Sequence, residues 1–184
     1  MSFFRKKPAA RDSHDIATVK GLEDRDRAGP LPIGDDADIM ARRLAAERQR
    51  ALSGRSGCCV AVCLPDPMQG LTAGQAAAET ATRFANSLRA YDAIFRYGEN
   101  RILACMPFVK AADAPNVMAR LRDLASRMPV TLPDGTSGHI MVSVGSAMME
   151  PSADVQETIR RAEKAMEQGR LSGNRICLWT PDML

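Results

Sequence analysis

The sequence predicts an α/β fold of the α+β kind, a mixed central sheet with helices on its faces. Three observations carry this. From residue 36 onward, short apolar runs alternate with stretches whose apolar residues recur at helical spacing. One stretch reads as a hairpin: Ala93–Tyr97 and Arg101–Met106 flank Gly98-Glu99-Asn100, so the sheet contains antiparallel pairs. The composition is that of a globular chain, with 45% hydrophobic and 26% charged residues. Aromatic residues make up only 4%, so the core must be built from Ala, Val, Leu, Ile and Met.

The elements follow in order. Residues 1–36 hold seven basic and seven acidic residues, with apolar residues lacking a period, and read as a flexible N-terminal tail. Residues 37–184 read as one folded domain. Asp38 can cap a helix to Leu52, with Ile39, Met40 and Leu44 on one side and arginines on the other. Gly54–Gly57 breaks it. Cys58–Leu64 is a continuous apolar run, as in a strand buried on both faces. Pro65-Asp66-Pro67 stops that strand. A helix follows from Thr72 or Ala73 to Arg89, with Ala77, Ala81, Phe84 and Leu88 on one face. The hairpin comes next and ends at Pro107. Asp113–Met128 is a helix with Val117, Leu121, Leu124 and Met128 inward. Val130–Leu132, the turn Asp134-Gly135 and His139–Ala147 suggest a second strand pair. Ser152 or Asp154 caps a last helix, with Val155, Ile159, Ala162 and Met166 inward. Arg175–Trp179 is a final short strand. The expected order is α β α β β α β β α β.

Composition also excludes function classes. A formal net charge of +3 gives no ground for nucleic-acid binding. The run Arg42, Arg43, Arg48, Arg50 lacks interleaved aromatics and reads as a solvated helix face. No stretch approaches the roughly 18 apolar residues of a membrane helix. The basic start lacks the apolar run of a signal peptide, so the expected location is cytoplasmic. Cys58, Cys59, Cys63, Cys105 and Cys177 contain no CxxC pair and sit in apolar runs, as buried thiols do. His139 reads as structural.

At the hairpin the sequence resembles a known family. Arg96-Tyr97-Gly98-Glu99-Asn100-Arg101-Ile102 stands where diguanylate cyclases carry RYGGDEF. Met141-Val142-Ser143-Val144-Gly145 resembles that family's TVSIG strand. Arg161-Ala162-Glu163-Lys164-Ala165-Met166 resembles its RADKAL helix, and Ser172-Gly173-Asn174-Arg175-Ile176 its GRNRV ending. The likeness spans residues 38–180 and implies a palm-like mixed sheet with flanking helices.

The resemblance also implies what is missing. The signature Gly98, Glu99, Asn100, Arg101, Ile102 has Glu99 at the second glycine and Asn100 and Arg101 at the two acidic positions. Asn is a poor ligand for a hard divalent cation and Arg is none. No aspartate lies in the run Cys59–Leu64, where the family places a metal ligand. Asp66 lies beyond it, between two prolines. The guanine-reading stretch has no counterpart in Met68–Thr82. The expectation is a degenerate, catalytically inactive GGDEF-like domain with no metal and no cofactor.

A second family feature survives. Arg89-Ala90-Tyr91-Asp92 matches the RxxD of the family's inhibitory site, five residues before the signature turn. There the Arg and Asp hold cyclic di-GMP, and an arginine of the following helix often joins them. By distance that arginine is Arg120, with Arg122 a neighbour. An Arg fork can bridge phosphate oxygens or the guanine edge, and a carboxylate accepts from guanine N–H groups. The competing reading makes Arg89 and Asp92 a structural pair at a helix end, and Arg120 a solvated side chain. Lys164 and Arg170, which lie where the family meets GTP phosphates, read as surface charges. The resulting expectation is a cyclic di-GMP receptor that controls an unidentified protein partner. Intercalated ligand bridging two copies would give a ligand-dependent homodimer. The alternatives are a ligand-independent interaction scaffold and a residual enzyme with a rearranged site.

Overall fold

A computed structural model gives the structure of residues 33–54 and 56–183. Most of the expected tail, residues 1–32, lies outside the described residues. The elements are α1 (Ile33–Gly54), β1 (Cys58–Pro65), α2 (Ala73–Ala85), β2 (Ala93–Tyr97), β3 (Arg101–Pro107), α3 (Ala114–Ser126), β4 (Val130–Thr131), β5 (Ser137–Gly138), β6 (Val142–Met148), α4 (Val155–Arg170), β7 (Ile176–Leu178) and a 3₁₀ turn (Pro181–Met183).

Five strands form one sheet in the order β2-β3-β1-β6-β7. All pairs are antiparallel except β6 with β7, so the sheet is mixed, as expected. β1 lies at its centre and is buried at every residue but Leu64. Its alternating side chains feed two cores. Cys59, Ala61 and Cys63 join Phe84 of α2 and Met118 and Leu121 of α3. Cys58, Val60 and Val62 join Leu44 of α1 and Ile159, Ala162 and Met166 of α4. Four of the cysteines are buried and Cys177 is half-buried, all as free thiols. Burial pushes the Cys59 thiol up to about 12, and Cys63 and Cys105 are also raised, so these thiols are inert fillers.

One close approach locks the sheet to its helix. A Cβ at Gly145 of β6 would lie 2.0 Å from the Met166 amide nitrogen and 2.3 Å from the Ala162 carbonyl oxygen. Only glycine lets α4 lie this near the strand. Asp154 caps α4, its carboxylate accepting from the Glu157 amide at 2.7 Å. Thr72 and Gln75 form a capping box that starts α2.

Four expectations need correction. α1 begins at Ile33, so Asp38 lies inside it and is not its cap. Gly34 does not stop it, because an interior glycine costs a helix only about 1 kcal/mol. α2 ends at Ala85, where the amides of Ser87 and Leu88 both turn back onto the Phe84 carbonyl, so Leu88 and Arg89 lie beyond the helix. The expected strand His139–Ala147 starts only at Val142 and pairs with β1, not with Val130–Leu132; the partner of Val130–Thr131 is Ser137–Gly138, just before it, in a separate two-stranded sheet. α3 stops at Ser126, leaving Met128 exposed rather than inward. His139 is structural as expected, its Nδ1 lying 2.7 Å from the Ser126 carbonyl oxygen.

Candidate ligand-binding site

The β2–β3 hairpin carries one candidate feature at each end. β2 and β3 pair from Tyr97 with Arg101 at the turn to Ala93 with Cys105 at the far end. Five residues of strand separate the ends by roughly 17 Å. The signature residues sit at the turn, and Arg89–Asp92 sits just before β2.

At the turn, Gly98 takes φ +65° with open space around it, as a glycine-dependent turn requires. Glu99 is exposed. Arg101, at the first position of β3, reaches the Glu163 carboxylate of α4 at 2.6 Å. The Tyr97 phenol beside them is held above its ordinary value, by burial first and then by the Glu163 carboxylate. The position where the family pattern carries an acid therefore holds a cation already neutralised by a neighbouring helix.

Asp66 is also committed. Its carboxylate accepts from the Ser143 hydroxyl at 3.1 Å and from the Asn174 amide at 2.9 Å. It ties the end of β1 to β6 and to the turn before β7, where Asn174 takes φ +46°. Among the described residues, no three His, Cys, Asp or Glu side chains group together to hold a metal. Lys164 and Arg170 lie on α4, and Arg170 pairs with Glu167 at 2.8 Å. At the signature Asn100 offers an amide and Arg101 a guanidinium, poor donors for a hard divalent cation, beside a single exposed carboxylate, Glu99.

At the other end, the segment Arg89–Asp92 forms a turn. The Asp92 amide donates to the Arg89 carbonyl at 2.9 Å. The Arg89 amide donates back to Asp92 Oδ2 at 3.0 Å. Asp92 thus holds the backbone of Arg89, not its guanidinium. No ion pair joins the Arg89 and Asp92 side chains among the described residues, where the competing structural reading would have one. The Arg89 guanidinium instead donates to the Tyr91 hydroxyl at 3.2 Å and stands on an exposed loop. Asp92 Oδ1 is buried and has no hydrogen-bond partner among the described residues. Burial raises the Asp92 carboxyl above its ordinary value, against the Arg89 amide and the charges of Arg89, Arg120 and Arg43.

Arg120 lies against the same loop. From α3 it donates to the Ser87 carbonyl at 3.0 Å, on the same loop. Arg122 turns to its neighbour Asp123 at 2.9 Å instead. Sequence reasoning missed Arg43, which it placed on a solvated face. Arg43 donates to the Tyr91 carbonyl at 2.9 Å and pairs with the buried Glu47 at 3.1 Å. Arg48 is likewise no free surface charge, since it donates to the Ala153 carbonyl at 2.9 Å. The signal that could have found Arg43 is Glu47, an acid at helical spacing between Arg43 and Arg50.

The fold is the palm-like sheet of nucleotide cyclases, with helices on both faces. A sequence profile described as "Diguanylate cyclase, GGDEF domain" matches residues 71–175, more than half of the chain. The chain belongs to the GGDEF domain family. No curated protein matches it. Among solved structures it is similar to the GGDEF domain of DgcB from Caulobacter crescentus in complex with c-di-GMP, at 20% identity and a TM-score of 0.68, over 77% of this chain and 86% of that one. It is similar to the GGDEF domain of PA1120 (TpbB or YfiN) from Pseudomonas aeruginosa, at 20% identity and a TM-score of 0.70, over 79% of this chain and 90% of that one. It is also similar to the diguanylate cyclase SiaD from Pseudomonas aeruginosa, solved in complex with its activator SiaC, at 21% identity and a TM-score of 0.69, over 77% of this chain and 57% of that one. Among the described residues no helix is long and apolar enough to cross a membrane.

Proposed function

We propose that this chain is a GGDEF domain that has lost cyclase activity and serves as a cyclic di-GMP receptor through Arg89, Asp92 and Arg120. The single observation that carries the reading is the convergence at the start of β2. The Arg89 guanidinium is free of any carboxylate among the described residues, Asp92 keeps an oxygen without a partner, and Arg120 reaches the same loop. A site with two forked cations beside a half-buried carboxylate suits a ligand carrying phosphates and a purine edge.

Loss of turnover is supported by the other end of the hairpin. Two-metal phosphoryl chemistry needs several hard oxygen donors, and the signature offers one exposed carboxylate, Glu99, with Asn100 and an Arg101 already paired with Glu163. The free thiols support action in a reducing compartment, the cytoplasm. Ligand binding would change association with a protein partner or with a second copy.

A scaffold that needs no ligand is the second reading. It is favoured by the loop satisfying itself, with Asp92 on the Arg89 amide and Arg120 on the Ser87 carbonyl. Thermal melting separates the two. Cyclic di-GMP should raise the melting temperature of the wild-type chain and leave Arg89→Ala unmoved, because only a ligand that binds the native state stabilises it. An equal shift in both proteins, or none in either, would overturn the receptor reading.

A further inference from the structure

Tyr91 and Phe108, two exposed large apolar side chains, lie together beside the Arg89–Asp92 loop. Their ring centroids are 5.4 Å apart with the planes at 89°. In an edge-to-face pair only one ring has a face covered by the other, so aromatic surface stays open. Phe108 is 52% exposed. The Arg89 guanidinium carbon lies 5.9 Å from the centre of the Tyr91 ring.

Phe108 stands under backbone constraint. Its φ is +64°, a left-handed conformation that a bulky L-residue adopts only when its surroundings dictate it. Its amide donates to the Gly57 carbonyl at 2.7 Å, and the next residue, Val109, is buried. A Cβ at Gly57 would meet the Val109 carbonyl oxygen at 2.1 Å, so the two backbones are pressed together. Glycine or asparagine would take this turn with less strain. The fold gains little from an aromatic ring held in solvent, so packing does not explain the phenylalanine.

We infer, resting on the receptor reading above, that Tyr91 and Phe108 form a stacking platform for a guanine base of cyclic di-GMP. The charge beside it suits that occupant. Arg89, exposed beside the rings, is placed for a phosphate or the purine edge. Stacking on an aromatic ring holds a base through its π-face, so the platform adds affinity that the charged groups alone do not.

The test is calorimetric titration with cyclic di-GMP of the full chain and of Arg89→Ala, Tyr91→Ala and Phe108→Gly. Phe108→Gly should raise the melting temperature by relieving the left-handed strain. It should also weaken binding roughly tenfold, as loss of one base stack does. Tyr91→Ala should weaken it similarly. A residue with only a structural role would not give this opposition of stability and affinity. Binding that is lost in Arg89→Ala but unchanged in both aromatic variants would overturn the platform and leave the receptor reading standing. Loss of self-association in Phe108→Gly, with ligand affinity intact, would assign the pair to contact between copies and also overturn it. Absence of binding by the wild-type chain would overturn both.

Discussion

Asp92 shows how one side chain links structure to ligand. It accepts the Arg89 amide, which fixes the turn, and keeps a second oxygen without a partner among the described residues. Burial raises its carboxyl above the ordinary value of about 3.9. The sign follows from linkage. A carboxyl raised in the folded chain favours folding below the unfolded value, and that contribution is lost as pH rises through the folded value. Asp92→Asn still offers an oxygen to the Arg89 amide but carries no charge to bury. Its stability should therefore gain on the wild type as pH rises from about 4 toward neutrality, in thermal melts across that range. A flat or reversed difference would contradict the burial argument. The same variant should bind cyclic di-GMP more weakly, since an amide presents one acceptor oxygen where the carboxylate presents two. The spacing Arg89–Asp92 was legible in the sequence, but its geometry was not. A pattern of residue types does not reveal that the aspartate would serve the arginine's backbone and release its guanidinium.

At the scale of elements, apolar pattern located almost everything that the sheet buries. Cys58–Leu64, the β2–β3 hairpin and the face of α4 were all legible because each is a run or period of apolar residues. Element ends were less so. α2 stops at Ala85 because the chain turns back on Phe84, and the strand expected from His139 begins at Val142 because β6 pairs with β1 rather than with β4. Both outcomes are set by tertiary pairing that local sequence does not encode. Gly145 is the point where element packing is least forgiving. Gly145→Ala would press a methyl group into the backbone of α4, and backbone cannot step aside as a flexible side chain can. We expect a loss of about 1–3 kcal/mol or more, read as a lower midpoint in denaturant unfolding. A variant as stable as the wild type would show that α4 can move off the sheet.

For the whole molecule, the two ends of one hairpin now carry opposite fates. The turn end holds Arg101 neutralised by Glu163, and the β2-start end gathers Arg89, Asp92 and Arg120. Family membership was legible from four short pieces in register. Arg43 and the contact of Phe108 with Tyr91 were not, because α1 and the end of β3 meet the loop only in the folded chain. With GTP and Mg²⁺ or Mn²⁺, chromatography should find no cyclic di-GMP formed, and appreciable product would contradict the loss of turnover. The central claim is receptor function, and calorimetric titration of the full chain with cyclic di-GMP tests it most directly. Micromolar or tighter binding, about −8 kcal/mol or more favourable, that disappears in Arg89→Ala is the expected result. No heat of binding by the wild type, or equal binding by Arg89→Ala, would contradict it.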